Sequence, residues 1–171
     1  MTRHVATSAP AADAPAAGSS AALRRATPRD LPAVERLVTE AKLTTAGLAA
    51  LFADRAGDFV VADDPDREGE LAAVAGLEVC CDNALLRSVA VRPEWRSRGL
   101  GRELVGRVIA EAEARGLDTL YLLTTTAERY FPRFGFVPVA RDAVPAEVRD
   151  TVEFRGACPA SAVAMARPVR P

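Results

Sequence analysis

One junction constrains this chain most. Arg92-Pro93-Glu94-Trp95-Arg96-Ser97-Arg98-Gly99-Leu100-Gly101-Arg102 joins a strand-like run to a helical pattern. Ahead of it, Ala84-Leu85-Leu86-Arg87-Ser88-Val89-Ala90-Val91 has the length and apolar content of a strand. Behind it, Leu100, Leu104 and Val108 share one helical face, with Val105, Ile109 and Ala112 beside them. A helix start exposes unpaired N–H groups and the positive end of the helix dipole. Glycines there let a ligand come close to the main chain, and arginines supply charge and fork geometry for phosphate oxygens. Arg96, Ser97, Arg98, Gly99, Leu100, Gly101 and Arg102 therefore form a candidate diphosphate cradle. The plainer alternative is a solvated arginine turn capping an ordinary helix. No Gly-Lys-Ser/Thr follows the glycines, which excludes a Walker A loop. Leu104 stands where a dinucleotide fingerprint needs a third Gly or Ala, and no acidic residue is placed for a ribose.

Composition narrows the chemistry. The 171 residues suffice for one domain with a full core, and 49% hydrophobic with 26% charged content is globular. A net charge of −1 gives no electrostatic case for a nucleic-acid partner. The lone histidine, His4, sits in an Ala/Pro/Ser/Gly-rich segment, so the folded part has no Ser-His-Asp or Cys-His mechanism. It also leaves too few nitrogen and sulfur ligands for a zinc site, and no metal is expected. Cys80, Cys81 and Cys158 are odd in number and imply no disulfide framework, which favours a reducing cytoplasm. No apolar run is long enough to span a membrane, and residues 1–20 lack the apolar core of a signal peptide.

In order, residues 1–20 are expected to be a disordered tail and 21–168 a single domain. Leu23–Ala26 is a short strand. Thr27-Pro28-Arg29-Asp30 starts a helix that buries Leu31, Val34, Leu37 and Val38, and a second helix covers Thr45–Phe52. Strands are expected at Asp58–Ala62, Leu71–Cys80 and Ala84–Val91, joined by turn-rich links as in an antiparallel meander. The acidic turn Asp63–Glu70 is either a solvated hairpin or a cation site. Arg115-Gly116 stops the long helix, Leu120–Thr124 is a buried strand, and Thr125-Thr126-Ala127-Glu128 offers a capping box for a short helix through Arg133. Phe136–Val139 returns as a strand, 141–160 is loop-like with room for a turn of helix, and Ser161–Ala166 closes the sheet. Strands, then a crossover helix, then strands make a mixed α/β domain.

Arg96-x-x-Gly99-x-Gly101, preceded by Val-Ala-Val-Arg-Pro and followed by Arg133-Phe134-Gly135-Phe136, resembles the signature of the GNAT superfamily of acyl-CoA-dependent N-acetyltransferases. The resemblance implies a central mixed, mostly antiparallel sheet flanked by helices and splayed between the strands at 84–91 and 120–124. It implies acetyl-CoA as co-substrate, bound by the cradle and by the backbone of Val89, Ala90 and Val91, with the Val89 N–H polarising the thioester carbonyl. The early helices would wall the acceptor site.

The superfamily's thiolate-protonating tyrosine falls on Phe131; Tyr130 is one residue away and is read as a core or rim residue. Its early-strand glutamate falls on Leu85, which leaves Glu78 as the candidate base or, equally, an ion-paired carboxylate. Thr124 would hold a water or the cofactor, or cap the next turn. Arg87 would hold a substrate carboxylate or form a surface ion pair. More particularly, the runs Ala84–Val91, Tyr121–Glu128 and Cys158–Ala162 resemble bacterial arsenic-resistance N-acetyltransferases and amino-acid N-acetyltransferases. That implies a small amino-acid-like amine, including arsenic- or phosphorus-containing glutamate analogues, with Cys158 either near a trivalent arsenical or simply buried. The other readings are a non-catalytic acyl-CoA-binding or sensor domain, and an acetyltransferase of a protein N-terminus or lysine. A monomer and a homodimer are both compatible with the sequence.

Overall fold

Helix α1 (Leu31–Glu40) starts as its sequence dictates. The Thr27 N–H donates to Asp30 Oδ2 at 2.7 Å, the Asp30 N–H returns to the Thr27 carbonyl at 2.9 Å, and Pro28 occupies the first turn. Its Ala33, Val34, Leu37 and Val38 are buried, while Leu31 is half-buried. α2 (Leu48–Arg55) follows after Gly47, whose φ of 80° is left-handed. A computed structural model describes residues 21–170 of the chain; the tail expected over 1–20 lies outside them.

The helices flank a seven-stranded sheet of β1 (Leu23–Arg25), β2 (Phe59–Asp63), β3 (Leu71–Cys80), β4 (Asn83–Val91), β5 (Thr119–Thr124), β6 (Val137–Pro138) and β7 (Val163–Pro168). Its order is β1-β2-β3-β4-β5-β7-β6. All neighbours are antiparallel except β4 and β5, which α3 (Leu100–Ala114) connects. The sheet is therefore mixed and mostly antiparallel, as the resemblance implies. Strand alternation splits the core: Val60 and Ala62 of β2 face the α3 side, while Phe59 and Val61 face α1 and α2. Gly76 interrupts apolar β3 for a steric reason: a β-carbon there would lie 2.3 Å from the Phe59 ring.

Two local expectations change. Thr125 does not cap the turn after β5. Thr124 does, its Oγ1 accepting the Ala127 N–H at 2.9 Å, and the expected helix shortens to a single tight turn over Phe131–Phe134. The acidic turn is the hairpin between β2 and β3, exposed over Pro65–Gly69, with two of its carboxylates turned inward. Buried Arg92 draws its carboxylates in, lying 3.6 Å from Asp64 and 3.3 Å from Glu70, with Glu40 at 3.1 Å. Residues 141–160 contain the expected turn of helix as α4 (Ala146–Arg149), followed by a wide turn over Glu153–Ala157.

Candidate active site

The site begins with a strand that parts from its neighbour. β4 pairs with β5 only from Asn83↔Thr119 to Leu85↔Tyr121, and beyond that the two diverge. A cavity of about 1000 Å³ opens in the gap. At the same level β4 bulges against β3. Val74 faces Ala90 and Gly76 faces Arg87, so Ser88 and Val89 together oppose Ala75. Ser88 takes a left-handed φ of 56° to do this, and Val89, Ala90 and Val91 line the cavity. The backbone edge of residues 86–91 toward β5 has no strand partner among the described residues.

The cradle occupies one end. After a turn at Pro93–Trp95, Ser97 (φ 63°) and Gly99 (φ 83°) swing the chain into α3, and the Glu103 N–H to the Gly99 carbonyl at 3.1 Å closes its first turn. The amides ahead of Glu103 stay outside the helical ladder. Arg96, Ser97, Gly99, Gly101 and Arg102 line the cavity, and Arg133 joins them from the turn after β5. Arg96 Nε donates to the Val91 carbonyl at 3.1 Å, tying the cradle to the end of β4. Two cradle residues place their side chains elsewhere. Arg98 stacks on buried Trp95, 4.8 Å from the ring centroid, and Leu100 packs into the core. Any contact they make with a ligand in this cavity comes from the backbone. A helix N-terminus with three flanking guanidinium groups suits a diphosphate.

The opposite end is walled by the α1–α2 link (Ala41–Thr44) and by Glu153, Cys158 and Pro159. Behind this wall lies a charged cluster that sequence spacing did not reveal. The Arg87 side chain is fully buried; its Nη1 donates to Glu78 at 3.0 Å, its Nη2 to the Ala46 carbonyl at 2.7 Å, and its Nε lies 3.4 Å from Glu153. Arg87 is thus an internal cation and not an open clamp. Glu78 faces it from β3 and does not line the cavity, whereas Glu153 does. Burial pushes the Glu153 carboxyl above the usual glutamate range, with Arg87 opposing and Glu78 reinforcing the shift. Burial first, then the Glu153 charge, push the neighbouring Cys158 thiol up to about 11. Glu153 sits on a wide turn in which the Ala157 and Cys158 N–H groups reach back five residues, at 3.1 Å each.

Phe131, at the family's tyrosine position, is core, edge-on to Phe136 at 5.9 Å. Tyr130 is a rim residue of the cavity, with the Arg133 guanidinium 4.3 Å from its ring centroid. Lys42, the chain's single lysine, lines the end of the cavity away from the cradle and had no motif to announce it.

Comparison with known proteins gives a consistent picture. The acetyltransferase (GNAT) domain family model matches residues 55–138. A Mycobacterium tuberculosis amino-acid acetyltransferase is 33% identical over 132 residues, 75% of each chain. The amino-acid acetyltransferase of Ectopseudomonas mendocina is 40% identical over 83 residues, 47% of this chain; this chain spans only 19% of that relative's length. Among solved structures, a Mycobacterium tuberculosis protein in complex with CoA and NLQ superposes with a TM-score of 0.70 at 26% identity, over 86% of this chain and 98% of the other. The fold is also that of a Neisseria gonorrhoeae N-acetylglutamate synthase complexed with coenzyme A and N-acetyl-glutamate, with a TM-score of 0.72 at 21% identity, over 88% of this chain and 35% of that one.

Proposed function

The chain belongs to the GNAT acetyltransferase family, and on that premise we propose that it transfers an acetyl group from acetyl-CoA to the amine of a small, amino-acid-like substrate. One observation carries this reading: a single cavity joins the α3 cradle to a walled end backed by buried charge. The cradle amides from Ser97 to Arg102, with the Arg96 and Arg102 side chains, would hold the diphosphate; the Arg96 N–H is donated to the Pro93 carbonyl. The unpartnered β4 edge at Val89–Val91 would pair with the pantetheine arm as an added strand does. The Val89 N–H, set at the bulge, would donate to the thioester oxygen as charge develops there. Thr124 Oγ1 accepts the Ala127 N–H and so holds the turn that carries Tyr130, while its O–H can still donate to a water or the cofactor in the cavity it lines. With phenylalanine at position 131, the thiolate departs without a side-chain acid, its proton coming directly from the amine or through water.

The amino-acid preference draws on the relatives' names and on Lys42, an exposed cationic residue that lines the cavity and suits a substrate carboxylate. An arsenic- or phosphorus-containing glutamate analogue is the narrower reading. It would enter through its amino-acid portion; burial and the Glu153 charge, which push the Cys158 thiol up to about 11, disfavour the thiolate that an arsenical would take. The test is release of free CoA thiol from acetyl-CoA with glutamate, other amino acids, the phosphinic and arsenical glutamate analogues, and an N-terminal peptide. Stimulation by a free amino acid supports the proposal. Tight CoA binding with no stimulation by any amine overturns it in favour of a non-catalytic acyl-CoA-binding domain, and stimulation by the peptide alone favours a protein acetyltransferase.

A further inference from the structure

We propose that Glu153, not Glu78, receives the acceptor's ammonium group and takes its proton. The inference rests on the acetyltransferase reading above and deepens it. Arg87, Glu78 and Glu153 form one buried cluster, and with both carboxyls ionised it carries a formal charge of −1. An uncompensated negative charge in a cavity wall is costly unless a cation arrives or a proton is taken up. The cluster is not symmetric. Glu78 is bonded to Arg87 Nη1 at 3.0 Å and lies off the cavity, while Glu153 is 3.4 Å from Nε and faces the cavity. Ser88 Oγ also accepts from that Nε at 3.3 Å, which loosens the Glu153 contact further. Glu78 therefore serves Arg87, and Glu153 is the carboxylate left for a ligand.

The groups facing Glu153 come from separate elements: Arg87 on β4, Glu78 on β3, and Cys158 at the end of its own turn. Lys42, on the α1–α2 link, lines the same cavity. Burial, reinforced by Glu78 and opposed by Arg87 and the Cys158 thiol, leaves a mostly buried carboxylate whose proton affinity is raised, suited to drawing a proton from an ammonium group. The proton balance is simple. Glu153 takes one proton from the ammonium and later returns it to solvent. The neutral nitrogen then forms the C–N bond as the C–S bond breaks. The second amine proton goes to the thiolate, directly or through water, giving free CoA thiol and the amide.

The experiment compares wild type with Glu153→Gln and Glu78→Gln, using the amine that turns over best. Glu153→Gln is expected to lower kcat by about 100-fold or more, to leave coenzyme A binding within about twofold, and to abolish the acidic limb of the kcat/KM pH profile. Glu78→Gln is expected to keep that limb. An acidic limb that survives in Glu153→Gln, or a kcat within about threefold of wild type, overturns the assignment, as does loss of the limb in Glu78→Gln alone. If Glu153→Gln does not fold, Glu153→Asp replaces it. Drawing the carboxylate back by one methylene should lower kcat about tenfold or more with the limb retained, and an unchanged kcat overturns the assignment. A wild type that turns over no amine refutes the acetyltransferase reading itself, and this assignment with it. Variant data against an active wild type refute this assignment alone.

Discussion

The Tyr130 hydroxyl lies over Gly101: a β-carbon on that glycine would stand 2.9 Å from the oxygen and 3.5 Å from a Val91 methyl. Helix start, strand end and cavity rim meet at this one point. Gly101→Ala is expected to push Tyr130 outward, because the end of a side chain yields more readily than backbone. Coenzyme A affinity should weaken about tenfold, while stability changes by less than about 1 kcal/mol, since alanine's better helix propensity offsets the contact. Calorimetric titration and thermal melts measure both, and adding Tyr130→Phe should restore part of the affinity.

Ser88 holds the bulge at a φ of 56°, a conformation that strains any side chain and β-branched ones most. Ser88→Gly relieves that strain but loses the contact with Arg87 Nε at 3.3 Å, so its stability should stay near wild type. Ser88→Val should cost about 2 kcal/mol and lower kcat more than tenfold, because straightening β4 turns the Val89 N–H away. Urea melts alongside thiol-release kinetics distinguish the two.

Gly76 and Phe59 are matched in volume. In Gly76→Ala the new methyl would meet ring atoms at 2.3, 2.7 and 2.8 Å. The expected loss is about 3 kcal/mol. Phe59→Leu in the same chain should recover part of it, and a double-mutant cycle should give a coupling of about 1 kcal/mol or more.

The buried Glu153 carboxyl gives the folded protein a higher proton affinity than the unfolded chain has. Its contribution to stability is therefore fully present below the ordinary value of 4.5 and is lost as pH rises through the raised one. In the absence of ligand, Glu153→Gln should be more stable than wild type at pH 7, and the gap should close as pH falls toward 4.5. Urea denaturation across that range checks the slope.

Asp30 has the opposite sign. The Arg24 guanidinium, bonded to it at 2.9 Å, holds its carboxyl below the usual 3.8, so its contribution is present above that value and lost as pH falls through the lowered one. Asp30→Asn should cost about 1 kcal/mol at pH 7, the size of a helix-start interaction, and nothing at strongly acid pH. Denaturation of the pair at both pH values decides it.

The parts of the site that depend on local order could be read from the chain. Arg96, Gly99 and Gly101 sit where a strand meets a helix, and strand, turn and helix each have their own periodicity. The parts that depend on packing could not. Nothing in the letters Arg87-Ser88-Val89 says that a serine will take a left-handed backbone, because that choice balances strain against register with β3. Glu153 lies in a stretch with neither helical nor strand periodicity, and only tertiary packing brings it to Arg87, 66 positions away by number. Arg98 looked like its neighbours in the cradle, yet stacking on Trp95 removes its side chain from the cavity. Thr124 and Thr125 differ by one position, and the end of β5 decides which of them caps the turn.

β7 lies between β5 and β6 in the sheet, so residues 163–168 are laid down last yet fill an interior slot. A nascent chain paused before them carries β5 with a bare edge and a two-residue β6 with nothing to pair against. Such an intermediate is open to pairing with other chains until those six residues emerge. Premature stops within this strand are therefore expected to produce aggregates and not a weakened enzyme.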